Sequence, residues 1–132
     1  MGSKTVPDKF KDILESKALA HVATLMADGT PQVSPVWFDT VGDKIRINSA
    51  RGRVKDVNLR ARPAVSLSIV DLENPYRHVA IQGKVVDVTE EGAREVIDVL
   101  SQKYLGKDYP FSQPGEVRVT YLIEPENVVT MG

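Results

Sequence analysis

The chain contains no cysteine among its 132 residues. Disulfide bonds, thiolate metal sites and cysteine nucleophiles are therefore excluded. Its two histidines, His21 and His78, are too few for a histidine-rich metal site. No apolar run approaches the roughly 20 residues of a membrane-spanning helix, and the start of the chain lacks the apolar core of a signal peptide. We therefore expect a protein of the reducing cytoplasm with no metal and no membrane partner.

The chain also lacks an excess of charge of either sign. Its 17 basic and 18 acidic residues leave a net charge of −1. A general nucleic-acid-binding domain should be basic overall, so we expect no nucleic-acid partner. A length of 132 residues indicates one domain, 1–132, that is long enough to bury a core.

Against this neutral background, five basic residues lie within twelve positions. They are Arg51, Arg53, Lys55, Arg60 and Arg62. The alternation at 45–49 predicts a strand before them, and 53–62 predicts a short helix that ends before Pro63. A helix start offers unpaired N–H groups and a positive dipole end, so Arg53 and Lys55 beside it indicate a phosphate site. A solvated basic helix face is the alternative, and the spacing alone leaves it open.

The rest of the chain predicts a mainly β domain with short helices. Apolar runs and alternation indicate strands at 18–26, 31–41, 44–49, 64–70, 77–88 and 116–123, with a further short strand near the end. Helices are predicted at 7–17 and 89–103, the second with Thr89 as N-cap and Gly106 as C-cap. Asp28 and Gly29 favour a hairpin turn, and Gly83 indicates a bulge or a close backbone approach. Hairpin-linked strands interrupted by short helices predict a small antiparallel barrel.

No catalytic arrangement stands out from the residue types. The chain has no Gly-x-Gly-x-x-Gly motif, Walker loop or nucleophile elbow. Ser34, Ser49 and His21 suggest a dyad, but their positions on strands favour structural roles. Trp37, the only tryptophan, fits either core or interface packing or a ring-stacking role. His78 fits an exposed strand edge or a ligand contact, so these residues alone do not name an activity.

Three segments together resemble the pyridoxamine 5′-phosphate oxidase-like split-barrel flavoproteins. The segment HVATLMADGTPQVSPVWF is similar to their opening hairpin, and INSARGRVKDVNLRARPAVSLSI resembles their phosphate-binding signature. HVAIQGKVVDV resembles a later strand in which a polar residue precedes a glycine. Within that superfamily the chain is most similar to the short members that use the deazaflavin coenzyme F420. The resemblance implies a six- to seven-stranded antiparallel split β-barrel, FMN-binding-protein-like, that forms a homodimer with cofactor sites at the interface.

The resemblance also implies roles for single residues. Arg53 and Lys55 would hold the cofactor phosphate, and Asn58 would support their loop. The residues expected near the cofactor ring or along its approach are Gln32, Val33, Ser34, Pro35, Val36, Trp37, Asn48, Ser49, Ala50, Arg51, His78 and Gln82. Lys103 and Tyr104 are expected to reach across the dimer.

The activity implied is that of an oxidoreductase dependent on coenzyme F420, which passes a hydride between the reduced cofactor and a small organic acceptor. Such a cofactor carries out the hydride chemistry itself, which explains why no acid–base pair stands out. Three alternatives stay open: an FMN-binding oxidase or flavin reductase of the same fold, a non-catalytic cofactor-binding protein, and a barrel that binds an unrelated phosphorylated ligand. Arg51, Arg60 and Arg62 are expected to meet the anionic tail of the deazaflavin.

Overall fold

Seven antiparallel strands make up one sheet in the computed structural model, which describes residues 3–132. The strands are β1 (Ala20–Leu25), β2 (Pro31–Val36), β3 (Asp39–Val41), β4 (Lys44–Ala50), β5 (Ala64–Val70), β6 (His78–Thr89) and β7 (Arg118–Met131). The helical elements are a 3₁₀ turn (Asp8–Phe10) that leads into α1 (Lys11–Glu15), then α2 (Val54–Ala61) and α3 (Ala93–Leu105). None of the helices in this part of the chain has the length and apolar character to cross a membrane.

The order of the strands explains why the sheet closes into a barrel. Neighbouring strands run β2-β1-β5-β6-β7-β4-β3, so β2 and β3 form the two edges. Only Trp37 and Phe38 separate these edge strands along the chain. Such a short link spans at most about 10 Å, so the sheet must curl until its edges come together. The mainly β split barrel implied by the sequence is therefore confirmed.

The interior of the barrel is filled by every second side chain of its strands. Along β5 the positions from Val65 to Ile69 alternate between buried apolar residues and outward-facing serines, as predicted. Phe38 at the seam and Tyr121 of β7 are fully buried. The short helix α1 packs on the same core through Ile13. This core fixes the strands whose ends carry the polar groups described below.

Two predicted strands are divided differently in the structure. The strand predicted at 31–41 is two strands, because the chain passes from one sheet edge to the other at Trp37. The two segments predicted after 116 are one strand, β7, of 14 residues. Pro125 does not end it, because this proline lies opposite Gly83, where the register of the β6–β7 pair shifts.

The helix α3 begins later than the predicted residue 89. Thr89 is the last residue of β6, where it pairs with Thr120 of β7 and is not available as a helix cap. Gly92, with a φ of +76°, precedes the first helical residue. The other end is as predicted, because Gly106 has a φ of +74° and its N–H bonds back to helix carbonyls.

Both predicted glycine features are present. Gly29 has a φ of +89° in the turn between β1 and β2, and Asp28 Oδ1 accepts a hydrogen bond of 2.9 Å from the N–H of Thr30. Gly83 lies at a register shift of β6, and a Cβ at this position would collide with the carbonyl oxygen of Glu124. A glycine is therefore required for the close approach of β7 at this register shift.

Candidate functional site

A cavity of about 330 Å³ lies between the end of β2, the strands β4 and β7, and the helix α3. Its wall combines the guanidinium groups of Arg53 and Arg118 with the aromatic rings of Trp37, Tyr109 and Phe111. Apolar walls with a few converging polar groups are typical of small-molecule sites.

The aromatic rings of the cavity wall pack on one another. Trp37 meets Tyr109 edge to face, with ring centroids 6.0 Å apart. Tyr109 meets Phe111 in the same way at 5.6 Å. Tyr109 and Phe111 lie in the irregular segment 106–117, so this contact holds that segment against the end of β2.

The basic part of the wall is built around one carboxylate, that of Glu116. Its side chain is only 8% exposed, and it lies 3.1 Å from Arg118 Nη1 and 3.5 Å from Arg53 Nη2. Arg118 is itself buried, donates from Nε to Asn48 Oδ1 at 2.8 Å, and stacks over the ring of Tyr109. The position of Arg118 is thus fixed from three sides.

Lys55 adds a third positive charge to this group. Its side chain is half-buried, and burial lowers its pKa from the ordinary value of 10.5, with a further contribution from repulsion by Arg53 and Arg118. No carboxylate among residues 3–132 pairs with its ammonium. Lys55 does not line the cavity, but Arg53, Lys55 and Arg118 outnumber the single carboxylate of Glu116 and leave an excess of positive charge beside it. This donor set fits a phosphate group.

The start of α2 is held to the barrel by a buried carboxylate, Asp56. Asp56 Oδ1 accepts hydrogen bonds from Tyr121 Oη at 2.6 Å and Arg60 Nε at 2.8 Å, and Oδ2 accepts one from the N–H of Gly52 at 3.0 Å. Burial acts to raise the pKa of Asp56, but these hydrogen bonds outweigh it and the net pKa lies below the usual range. Because this carboxylate offsets the positive end of the helix dipole, the site depends on its cationic side chains more than the sequence indicated.

Five of the residues selected from the sequence line the cavity together. They are Pro35, Val36, Trp37, Asn48 and Arg53. On β2, which carries Pro35 and Val36, Gln32 contacts Thr24 at 3.3 Å and Val33 is exposed. Ser34 and Ser49 have buried hydroxyls without a hydrogen-bond partner among residues 3–132, and neither lines the cavity.

Other selected residues contact their own chain elsewhere. Ala50 is buried at the end of β4, and Asn58 donates to Thr24 Oγ1 at 3.0 Å, which fastens α2 to β1. Arg51 Nε and Arg60 Nη2 both donate to Glu90, at 2.9 and 2.8 Å.

The third arginine of the expected tail site is also engaged, since Arg62 Nε donates to the carbonyl oxygen of Leu25 at 2.8 Å. Lys103 and Tyr104, expected to cross a dimer, likewise bind within the chain. The ammonium of Lys103 donates to the carbonyl oxygen of Phe38 at 2.8 Å.

His78 and Gln82 lie on the outer face of β6 and do not line the cavity. Gln82 borders a second depression of about 380 Å³, together with Ala64 and Ser66 of β5. A single chain therefore does not bring these two residues to the basic and aromatic groups.

Sequence reasoning missed the residues contributed by the last third of the chain, namely Tyr109, Phe111, Glu116 and Arg118. A usable signal was present. Arg118 begins a strand whose other early positions are apolar or uncharged, and an arginine there needs a buried partner. The aromatic pair sits in a proline-rich segment that gives no periodicity, so its place in the fold could not be derived.

Residues 6–132 match the family model described as pyridoxamine 5′-phosphate oxidase. The chain belongs to this family. A solved structure named as an F420 reductase is 32% identical, with 94% of this chain and 98% of that chain covered and a TM-score of 0.83.

Two further family-like structures show the same fold at lower identity. A conserved hypothetical protein from Mycobacterium tuberculosis is 22% identical, over 98% of this chain and 87% of that chain, with a TM-score of 0.77. The FAD and heme binding protein from Mycobacterium smegmatis is 19% identical, over 98% of this chain and 73% of that chain, with a TM-score of 0.72. Together with the family match, these similarities support a flavin-type oxidoreductase fold.

Proposed function

We propose that the protein is an oxidoreductase that uses the deazaflavin coenzyme F420 and exchanges a hydride with a small organic acceptor. The observation that carries this proposal is the group of Arg53, Lys55 and Arg118 beside an aromatic-walled cavity. The 32% identity to an F420 reductase over nearly the whole of both chains supports the deazaflavin over other flavin-type cofactors.

The chain's own residues divide the work of binding. Arg53 and Lys55 would hold the phosphate, since an anion would offset both the burial and the repulsion by the two arginines that lower the pKa of Lys55. Trp37 and Pro35 would form the wall along the ring. When bound, the cofactor supplies the hydride, and the protein supplies binding, orientation and exclusion of water.

We also propose that a second copy of the chain covers the outer face of β1, β5 and β6. Small or polar side chains such as Ala64, Ser66 and Ala80 lie on this face, and Val129 beside them is 50% exposed. A partner on this face would place His78 and Gln82 of one copy near the cofactor site of the other, where their expected roles could be fulfilled. Ala80→Glu should convert a dimer into a monomer in a light-scattering measurement, whereas a wild-type monomer would exclude the arrangement.

A fluorescence titration tests the cofactor directly. Purified protein is titrated with coenzyme F420 and, separately, with FMN. Tighter binding of coenzyme F420 supports the proposal, and tighter binding of FMN favours the flavoprotein alternative. Binding of neither would reject both cofactors.

A second assay separates an enzyme from a cofactor carrier. The protein loaded with reduced cofactor is mixed with a panel of quinones and conjugated carbonyl compounds, and absorbance reports cofactor oxidation. Oxidation that requires both protein and acceptor supports an enzyme. Tight binding with no oxidation by any acceptor would favour a carrier.

A further inference from the structure

A fixed negative charge lies within the group of cations that we assign to the phosphate. Glu116 contacts Arg118 with one carboxylate oxygen at 3.1 Å and Arg53 with the other at 3.5 Å. Both arginines line the cavity, whereas Glu116 itself does not. Any anion bound by these arginines therefore shares them with a carboxylate of the protein.

This carboxylate is held in place by its surroundings. The N–H of Glu116 donates to the carbonyl oxygen of Gln113 at 3.1 Å in the turn before β7. Its partner Arg118 is fastened to Asn48 at 2.8 Å and covered by Tyr109. With both members of the pair buried, Glu116 is a permanent part of the site and not a side chain that a ligand simply displaces.

The charge of the phosphate then matters for affinity. A phosphomonoester, as in FMN, carries a charge of about −1.5 to −2 at neutral pH. The phosphate of coenzyme F420 is a diester to a lactyl group and carries a single charge. Because the Coulomb energy is proportional to the product of the charges, one fixed carboxylate repels the monoester up to about twice as strongly as the diester.

We propose that Glu116 is a specificity-determining residue that favours a cofactor with a phosphodiester over one with a phosphomonoester. This inference rests on the proposed function, because it assumes that Arg53 and Lys55 hold the cofactor phosphate. It assigns to Glu116 the discrimination between two cofactors whose ring systems are nearly the same.

The experiment compares wild type with Glu116→Gln in titrations with coenzyme F420 and with FMN, without any acceptor. Glutamine keeps the shape of the side chain and removes its charge. Its single carbonyl oxygen can accept from Arg118, and its amide nitrogen takes the place of the oxygen that faces Arg53. We expect coenzyme F420 to bind roughly threefold more tightly to the variant and FMN roughly tenfold more tightly, the second factor being close to the square of the first. At pH 5.5, where the monoester gains a proton, the factor for FMN should fall toward that for coenzyme F420.

Three controls isolate the charge. Glu116→Asp keeps the carboxylate and should keep the wild-type preference. Glu124→Gln removes an exposed charge from β7 and should change neither affinity. If thermal melting shows that Glu116→Gln is unstable, Glu116→Ser serves as the neutral variant. It should then also show a larger gain in affinity for FMN than for coenzyme F420.

The outcomes separate this inference from the proposed function. In a neutral variant, the affinity for the two cofactors could rise by the same factor, or could rise more for coenzyme F420. Either result would overturn the role of Glu116 while the cofactor assignment stands. Wild-type protein that binds neither cofactor would overturn both.

Discussion

The indole of Trp37 lies almost parallel to the phenol ring of Tyr104, with ring centroids 5.3 Å apart and an angle of 7° between the planes. Tyr104 belongs to α3, and its hydroxyl donates to the carbonyl oxygen of Ala18 at 2.6 Å. One face of the only tryptophan is therefore covered by its own chain, while the residue also lines the cavity.

Trp37 should report cavity binding through its fluorescence. A flavin-type ring beside the indole absorbs at the wavelengths where tryptophan emits, so emission should fall as ligand is added and level off at saturation. The dissociation constant should match that from the cofactor's own fluorescence. In Trp37→Phe the change in cofactor fluorescence should persist, while the change in tryptophan emission should be lost. A decrease in tryptophan emission that never saturates would contradict binding in this cavity.

Replacement of Lys55 by methionine should weaken cofactor binding by roughly 1.5–3 kcal/mol, the scale of a hydrogen bond to a charged group. The protein without ligand should keep or slightly raise its melting temperature, because a half-buried ammonium without a counter-ion is lost. Calorimetric titration and thermal melting check the two effects. Lys17→Met, at an exposed position, should change neither, and a large drop in melting temperature for the Lys55 variant would make that lysine structural.

The stability of the unliganded protein should also rise in alkaline solution because of Lys55. Its pKa in the folded state is lower than the ordinary 10.5, so between the two values the unfolded chain binds more protons. Stability then increases with pH, and the destabilising charge is lost once the folded pKa is passed. Urea unfolding from neutral pH to about 10.5 should show the free energy of unfolding of wild type approaching that of Lys55→Met. A difference in free energy that stays constant over this range would contradict the prediction.

How far the sequence predicts this molecule depends on the range of the interactions. The alternation of Val65 to Ile69 and the Asp28-Gly29 turn are local signals, and both elements were predicted correctly. The break at Trp37 was missed because it arises from closure of the barrel, to which distant strands contribute. The prediction of Thr89 as a helix cap is wrong because Thr89 pairs with Thr120, and this contact between residues far apart in the chain leaves no local signal.

The same distinction holds for the candidate site. Arg53 stands out in the sequence because it belongs to a basic cluster at a predicted helix start, whereas the cofactor role of Trp37 comes from the resemblance of its hairpin to the family. Glu116 and Arg118 come from the far end of the chain, and only β4–β7 pairing brings Arg118 beside Asn48. His78 and Gln82 were chosen by resemblance, and their role stays a prediction that depends on a second copy of the chain.

Removal of the Tyr121 hydroxyl should destabilise the protein by roughly 1.5–3 kcal/mol, because the buried carboxylate of Asp56 loses a hydrogen-bond donor. Tyr121→Phe keeps the ring and the packing. Since this hydrogen bond helps to lower the pKa of Asp56, the difference from wild type should be complete above about pH 4 and shrink as pH falls below it. Urea unfolding at several pH values measures this, with Tyr76→Phe, at an exposed position, as the control. A difference that is independent of pH would show that Asp56 is not the partner that matters.

Substitution of Gly83 by alanine should destabilise the barrel by roughly 1–3 kcal/mol, since the new methyl group would press on the carbonyl of Glu124. Thermal or urea unfolding measures the loss. Lys84→Ala, on the adjacent exposed position of β6, should have a much smaller effect. Equal stability of Gly83→Ala and wild type would mean that β7 can shift at this point without a loss of free energy of unfolding.

The two-residue link between β2 and β3 has a consequence for how relatives of this protein diverge. Phe38 fills the core and Trp37 borders the cavity, so an insertion there would open the barrel and deform the ligand wall at once. The segments 71–77 and 106–117 do not both close the barrel and border the cavity. Evolutionary change in what the site accepts is therefore expected to accumulate in segment 106–117, which contributes Tyr109 and Phe111, while the seam itself stays short.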